Sequence, residues 1–312
     1  MSAIVTTQSY AVIDQSALQI EAYHRFLAYV DASPKTVETY TRNLKQFFVW
    51  LNENGVTHPT REDILRYRDE LRARLKPATV QIYIAVVRIF FDWAEQEKIY
   101  PNIARRIKGA KVDKDHKKDY LTPTQIKDIV SGIDRDSVNG LRNYAIFKLM
   151  ATCALRTIEV VRANVGDLRP LGEKMVLYVQ GKGHAEKSRP VRIPPAVEAD
   201  IRAYLAIRGK VAEDAPLFCS TSNNGTGKRL STRTVSGIAK QAMINAGFNS
   251  PRLTAHSLRH TAATAALLSG QPVEAVREFL RHSNINTTMT YVHTLGMAKN
   301  KCSNAACEYL FR

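Results

Sequence analysis

The 312-residue sequence is poor in cysteine, with four (Cys153, Cys219, Cys302 and Cys307) and no CxxC pair among them. That excludes a disulfide scaffold and the usual zinc spacings, and four ordinary thiols make the reducing cytoplasm the expected location. No apolar run reaches the ~18 residues that a membrane span needs, so no membrane partner is expected. The opening stretch MSAIVTTQSYAVIDQSALQ lacks a basic start and a long apolar core, so no secretory leader is expected there. With 15 glycines, 12 prolines and 45% hydrophobic residues, the composition is that of a folded chain rather than a low-complexity one. HExxH, GxGxxG and EF-hand patterns are missing. Gly225-Thr226-Gly227-Lys228 has neither the glycine spacing nor the hydroxyl after lysine that a nucleotide-phosphate loop requires. Neither a metal nor another cofactor is expected.

What the chain has in excess is positive charge: 45 Lys and Arg against 29 Asp and Glu, a net charge of +16. Residues 1–110 carry 15 basic and 12 acidic groups, whereas residues 111–312 carry 30 and 17. A polyanion is the natural partner for such a surface, because phosphate neutralisation supplies affinity without base contacts. Charge alone fits a basic soluble surface almost as well.

Hydrophobic periodicity predicts helices over 17–30, 34–52, 60–73 and 77–97, and Thr60 with Asp63 forms a variant capping box. Residues 17–108 therefore read as a helical domain. Residues 109–118 are charged, aperiodic and read as a linker. A second domain, 119–312, restarts at Thr122-Pro123-Thr124-Gln125, a capping box with proline at the first helical position. Helices are expected over 122–132, 137–153, 156–162, 195–208, 232–246, 256–269, 272–281 and 303–310. Segments 175–179 and 189–193 read as strands joined by a glycine-rich, charged turn that contains Lys182 and Lys187. The expected class is a multidomain, mainly α protein: a helical domain plus a mixed α/β domain with a small antiparallel sheet.

The candidate chemistry lies in separate elements. Arg156 stands at a helix start with Glu159 three residues on, placed to hold a guanidinium by an ion pair. Either a local salt bridge or a guanidinium aimed into a cleft fits that spacing. His256 and Arg259 share one face at the start of an apolar helix, a place that favours anions. His282 precedes a turn-rich run leading to Tyr291, which falls in a fresh helix or a loop; His293 is a further candidate, ranked below His282.

The ordered set Arg156, Lys182, His256, Arg259, His282 and Tyr291, with the phrases AHSLRHTAAT and LRHSNINTTMTYVH, resembles the tyrosine recombinase (phage-integrase) family over nearly the whole chain. The resemblance implies that residues 17–108 form a core-binding domain and residues 119–312 the catalytic domain, the two clamping duplex DNA. It implies Tyr291 as nucleophile, forming a 3′-phosphotyrosyl bond, and Arg156 and Arg259 as donors to the non-bridging phosphate oxygens. His256 takes the role of proton acceptor, His282 that of a further donor, and Glu159 a supporting one. Lys182 is the general acid, with Lys187 the alternative. Implied partners are double-stranded DNA with inverted-repeat core sites and a homotetrameric synapse built from site-bound dimers, exchanging strands through a four-way junction. The resemblance leaves room for an accessory or directionality protein, and it fits integration, excision, dimer resolution and cassette exchange alike. The first 16 residues look too short for an arm-binding module. The apolar positions near 305–311 match the place where the family donates a helix to a neighbouring subunit.

Two positions depart from the family's pattern. Arg281 replaces the glycine often found before His282, suggesting an added DNA phosphate contact or altered subunit packing, and Thr157-Ile158 is atypical between arginine and glutamate. Two other functions keep the same features: a type IB topoisomerase, which would not pair two sites, and a DNA-binding protein without catalysis.

Overall fold

The computed structural model describes residues 15–111, 119–181, 186–223, 225–299 and 302–311. The chain divides into two compact units, with the break between residues 114 and 115.

The first unit is helical: α1 (Gln15–Tyr29), α2 (Pro34–Glu53), α3 (Arg61–Arg74) and α4 (Pro77–Gln96). Its helix starts are written in the sequence. Ser33 caps α2 with Pro34 just inside, and Thr60 and Asp63 make a reciprocal capping box at α3. Large apolar side chains recur at threes and fours, so Phe47, Leu51, Ile84, Val87 and Phe91 all turn into one core. Aromatic edges fill it: Phe26 meets Phe90 at 5.4 Å between centroids, and Phe47 meets Tyr67 at 5.1 Å.

The second unit winds around α6 (Val138–Cys153), of whose 16 residues ten are buried. A helix apolar nearly all round belongs in the middle of a core, and α6 packs against α8 (Pro195–Arg208) on one side and α10 (Ala255–Leu268) on another. The other helices are α5 (Pro123–Ser131), α7 (Thr157–Arg162), α9 (Thr232–Asn245), α11 (Val273–Leu280), α12 (Asn286–Lys299) and α13 (Cys302–Leu310). Three antiparallel strands, β1 (Leu168–Leu171), β2 (Lys174–Val179) and β3 (Arg189–Arg192), pair in the order β1-β2-β3. Leu177 opposes Leu168 on one side and Val191 on the other. The unit is thus mixed α/β with a small antiparallel sheet. Strand β1 goes beyond the two strands expected. Pro170 removes a ladder donor from β1 and Pro190 one from β3, and both strands lie at the edges, where that loss is tolerated. Among the described residues no helix is long and apolar enough to cross a membrane.

Candidate active site

Three turns bring the site together. At the end of α6, Ala154 adopts a left-handed conformation (φ 52°) that swings the chain into Arg156, the residue capping α7. The buried Glu159 accepts a hydrogen bond from the Arg156 backbone N–H at 2.8 Å through Oε2 and one from its guanidinium at 2.9 Å through Oε1. One carboxylate therefore satisfies an orphan helix-start donor and orients the arginine fork.

The second turn starts α10. Ser257 Oγ accepts from the Thr254 N–H at 3.0 Å, fixing the first turn. Arg259 is 1% exposed and donates to the carbonyl oxygens of Ala154 and Leu280, tying α10 to the ends of α6 and α11. His256 is exposed. An open cleft of about 730 Å³ runs past His256 and Arg156, with Arg233 and Lys240 of α9 on its wall.

The third turn follows α11, where Arg281 is left-handed (φ 55°) and His282 leads towards α12. The His282 Nδ1 and the Thr288 hydroxyl lie 3.0 Å apart in a hydrogen bond. One turn further along α12, Tyr291 is 4% exposed. Its ring meets the edge of His260 at 4.4 Å and lies nearly parallel to His282 at 6.4 Å.

Arg156, Glu159, Arg259, His282 and Tyr291 thus converge, although the chain between the first and last is 134 residues long. His256 flanks them: its ring is 6.5 Å from that of His260, which touches Tyr291. Lys182 and the side chain of His293 lie outside the described residues. Lys187 donates to Asp167 at 2.5 Å, and the same carboxylate oxygen accepts the Asn164 N–H at 2.6 Å. That ammonium is committed to a structural pair.

Arg281, one of the departures from the family's pattern, lies against this site. Its side chain is 8% exposed and turned inward, donating to Glu159 Oε2 and the Ala154 carbonyl at 2.9 Å each and to the Phe279 carbonyl at 2.8 Å. Sequence reading also missed His260 and Thr288, which hold Tyr291 and His282. Both lie inside the quoted phrases, but spacing alone gives no sign of which neighbours touch.

The electrostatics are those of an anion site. Burial lowers the Arg259 pKa to about 9, helped by the charges of Arg156 and Arg281; it remains charged at neutral pH. Burial and the same three arginines hold His282 near pKa 4, so its imidazole is neutral. Burial raises the Tyr291 phenol above its ordinary value, against the opposing pull of Arg259 and Arg156. Burial also pushes the Glu159 carboxyl up, but Arg281, the Arg156 N–H and Arg156 together bring it below the usual carboxylate range. Several fixed guanidinium donors beside a phenol and a neutral imidazole can bind a phosphoryl group and present a nucleophile to it.

Residues 119–296 match the phage integrase family, and residues 20–98 match the N-terminal SAM-like domain of phage integrases. The chain is a phage-integrase-family tyrosine recombinase. A tyrosine recombinase of Synechocystis is 31% identical over 276 residues, covering 83% of this chain and 86% of that protein. The tyrosine recombinase XerA of Pyrococcus furiosus is 28% identical over 281 residues, covering 89% and 91%. The fold is shared with the XerH site-specific recombinase bound to its difH substrate in a pre-cleavage complex (TM-score 0.74, 17% identity, 95% and 97% of the two chains). Membership of this recombinase family supports site-specific DNA recombination through a catalytic tyrosine as the general activity.

Proposed function

We propose that this recombinase cleaves and rejoins duplex DNA at inverted-repeat core sites, with Tyr291 as the nucleophile. The observation that carries the reading is the convergence of a buried phenol with Arg156, Arg259 and His282 from three separate turns.

The phenolic oxygen attacks the scissile phosphorus, forming a 3′-phosphotyrosyl bond as the bond to the 5′-oxygen breaks. A free phenol has a pKa of about 10 and burial raises this one, so attack at neutral pH requires its proton to leave. His256, on the cleft beside Arg156, receives that proton. Arg156 and Arg259 donate to the non-bridging oxygens as their charge grows. The hydrogen bond with Thr288 fixes the His282 ring and leaves Nε2 for the phosphate. Lys182 protonates the departing 5′-oxygen, and the commitment of Lys187 to Asp167 favours Lys182 in that role. A 5′-hydroxyl from the partner strand reverses the reaction, so phosphodiester energy is conserved and no cofactor enters.

Residues 17–108 serve as the core-binding domain in this reading. Two site-bound dimers pair into a tetramer that passes through a four-way junction in integration, excision or dimer resolution. The exposed apolar side chains at the end of α13 support its docking on a neighbouring subunit. A nicked suicide duplex tests the chemistry. The parent protein forms a covalent adduct at the 3′-phosphate, while Tyr291→Phe binds the same DNA and forms none; an adduct of undiminished yield from Tyr291→Phe would refute the assignment.

A further inference from the structure

Arg281 has no part in the reaction as written, yet it is built into the reaction centre. Its backbone is held at φ 55° and ψ 42°, a conformation that glycine adopts freely and a side chain resists. What holds an arginine there is its guanidinium, locked by Glu159 and by the carbonyls of Ala154 and Phe279. Glu159, which has no exposed surface, is thereby shared by arginines from two distant segments: Oε1 accepts from the Arg156 guanidinium at 2.9 Å and from Arg281 Nε at 3.5 Å, and Oε2 accepts from Arg281 Nη2 at 2.9 Å and from the Arg156 backbone N–H at 2.8 Å.

The charge balance follows directly. Arg156, Arg259 and Arg281 against Glu159 leave the cluster at +2; without Arg281 it is +1, and Arg156 alone would answer the buried carboxylate. Crowding like charges with one counterion is unfavourable in an empty site and becomes favourable when an anion completes it. A phosphodiester carries one negative charge, and an attacking phenolate brings a second into the transition state.

We propose that Arg281 is a positioning residue for DNA cleavage: it neutralises Glu159, so that the charges of Arg156 and Arg259 remain available to the scissile phosphate. This rests on the recombinase reading above and deepens it. Arg281 touches no DNA in this role and acts through Glu159.

The test is single-turnover adduct formation on the suicide duplex, with DNA affinity measured alongside. Arg281→Lys and Arg281→Met both keep a β-carbon in the left-handed turn and differ in charge, whereas Arg281→Gly relieves the strain. Lysine at this position is expected to stay within about threefold of the parent rate, and methionine and glycine to fall by roughly tenfold or more at saturating DNA. Adding Glu159→Gln to Arg281→Gly removes the uncompensated carboxylate and is expected to recover at least about threefold of the lost rate. A methionine variant as fast as the lysine variant overturns the proposal. So does a double variant slower than Arg281→Gly, the result of a purely structural role. Those failures leave the adduct of the parent intact; absence of an adduct with the parent itself would remove the recombinase chemistry and this role together.

Discussion

The imidazole of His282 is half-buried, with Arg259, Arg156, Arg281 and His256 all adding positive charge around it, and it titrates near pH 4. In the unfolded chain the same ring titrates near 6.5. Between these values the unfolded chain takes up a proton that the folded one refuses, so stability is complete above about pH 6.5 and falls as pH drops towards 4. A shift of this size corresponds to about 3 kcal/mol, and partial solvation reduces the expected loss to roughly 1–2 kcal/mol. Glu159 acts in a different window: its depressed pKa gives stability that is full above the ordinary glutamate range and lost only below it. Unfolding midpoints of the parent and His282→Asn between pH 4.5 and 7.5 separate the two groups. The parent should lose stability across that range more steeply than the variant; equal slopes would place the acid sensitivity elsewhere. A bound phosphate offsets part of the positive field at His282 and raises its pKa, so DNA should flatten the parent's slope.

At the scale of elements, the ion pair that holds Lys187 beside the ladder β1-β2-β3 bears on the proposed role of Lys182. Lys187 is held by Asp167, which also fixes the Asn164 N–H ahead of β1. Lys187→Ala is expected to lower stability by about 1 kcal/mol and to slow cleavage modestly. Lys182→Ala should slow cleavage by about 10²-fold or more and recover on DNA with a 5′-bridging sulfur, which leaves without a proton. Sulfur rescue of Lys187→Ala instead would reverse the assignment. The helices were largely legible because their starts are local chemistry: Ser33-Pro34, Thr60 with Asp63, and Thr122 with Gln125 cap the helices they announce. Strand β1 was not, since Leu168-Arg169-Pro170-Leu171 is short, contains proline and becomes a strand only by pairing with β2. Helix α12 is ambiguous in the sequence because its Asn- and Thr-rich start has weak helix propensity. In the site, the phrases around Arg156, Arg259, His282 and Tyr291 were readable in order. The link from Arg281 to Glu159 was not, because a contact spanning 122 residues leaves no periodic trace.

At the scale of the whole molecule, α13 is the element least accounted for by its own chain. Every described side chain in it is exposed, and Tyr309, Leu310 and Phe311 stand 86%, 67% and 82% exposed. An isolated helix of nine residues has little stability in water, and adjacent apolar side chains at its end favour a covering surface. A second subunit on DNA supplies such a surface in the tetrameric reading, so removal of residues 302–312 separates folding from assembly. The truncated protein should retain the unfolding midpoint of the parent, because among the described residues none of the buried core lies in the deleted segment. It should also bind a single core site with near-parental affinity, since in the proposed reading the phosphate contacts are made by the core-binding domain and the Arg156–Arg259 site. Complexes containing two paired sites, resolved by sedimentation or gel mobility, should be lost, and recombinant products with them. Paired complexes at parental yield from the truncated protein would show that subunits join without α13, and a fall in its unfolding midpoint would show that the helix packs on its own domain.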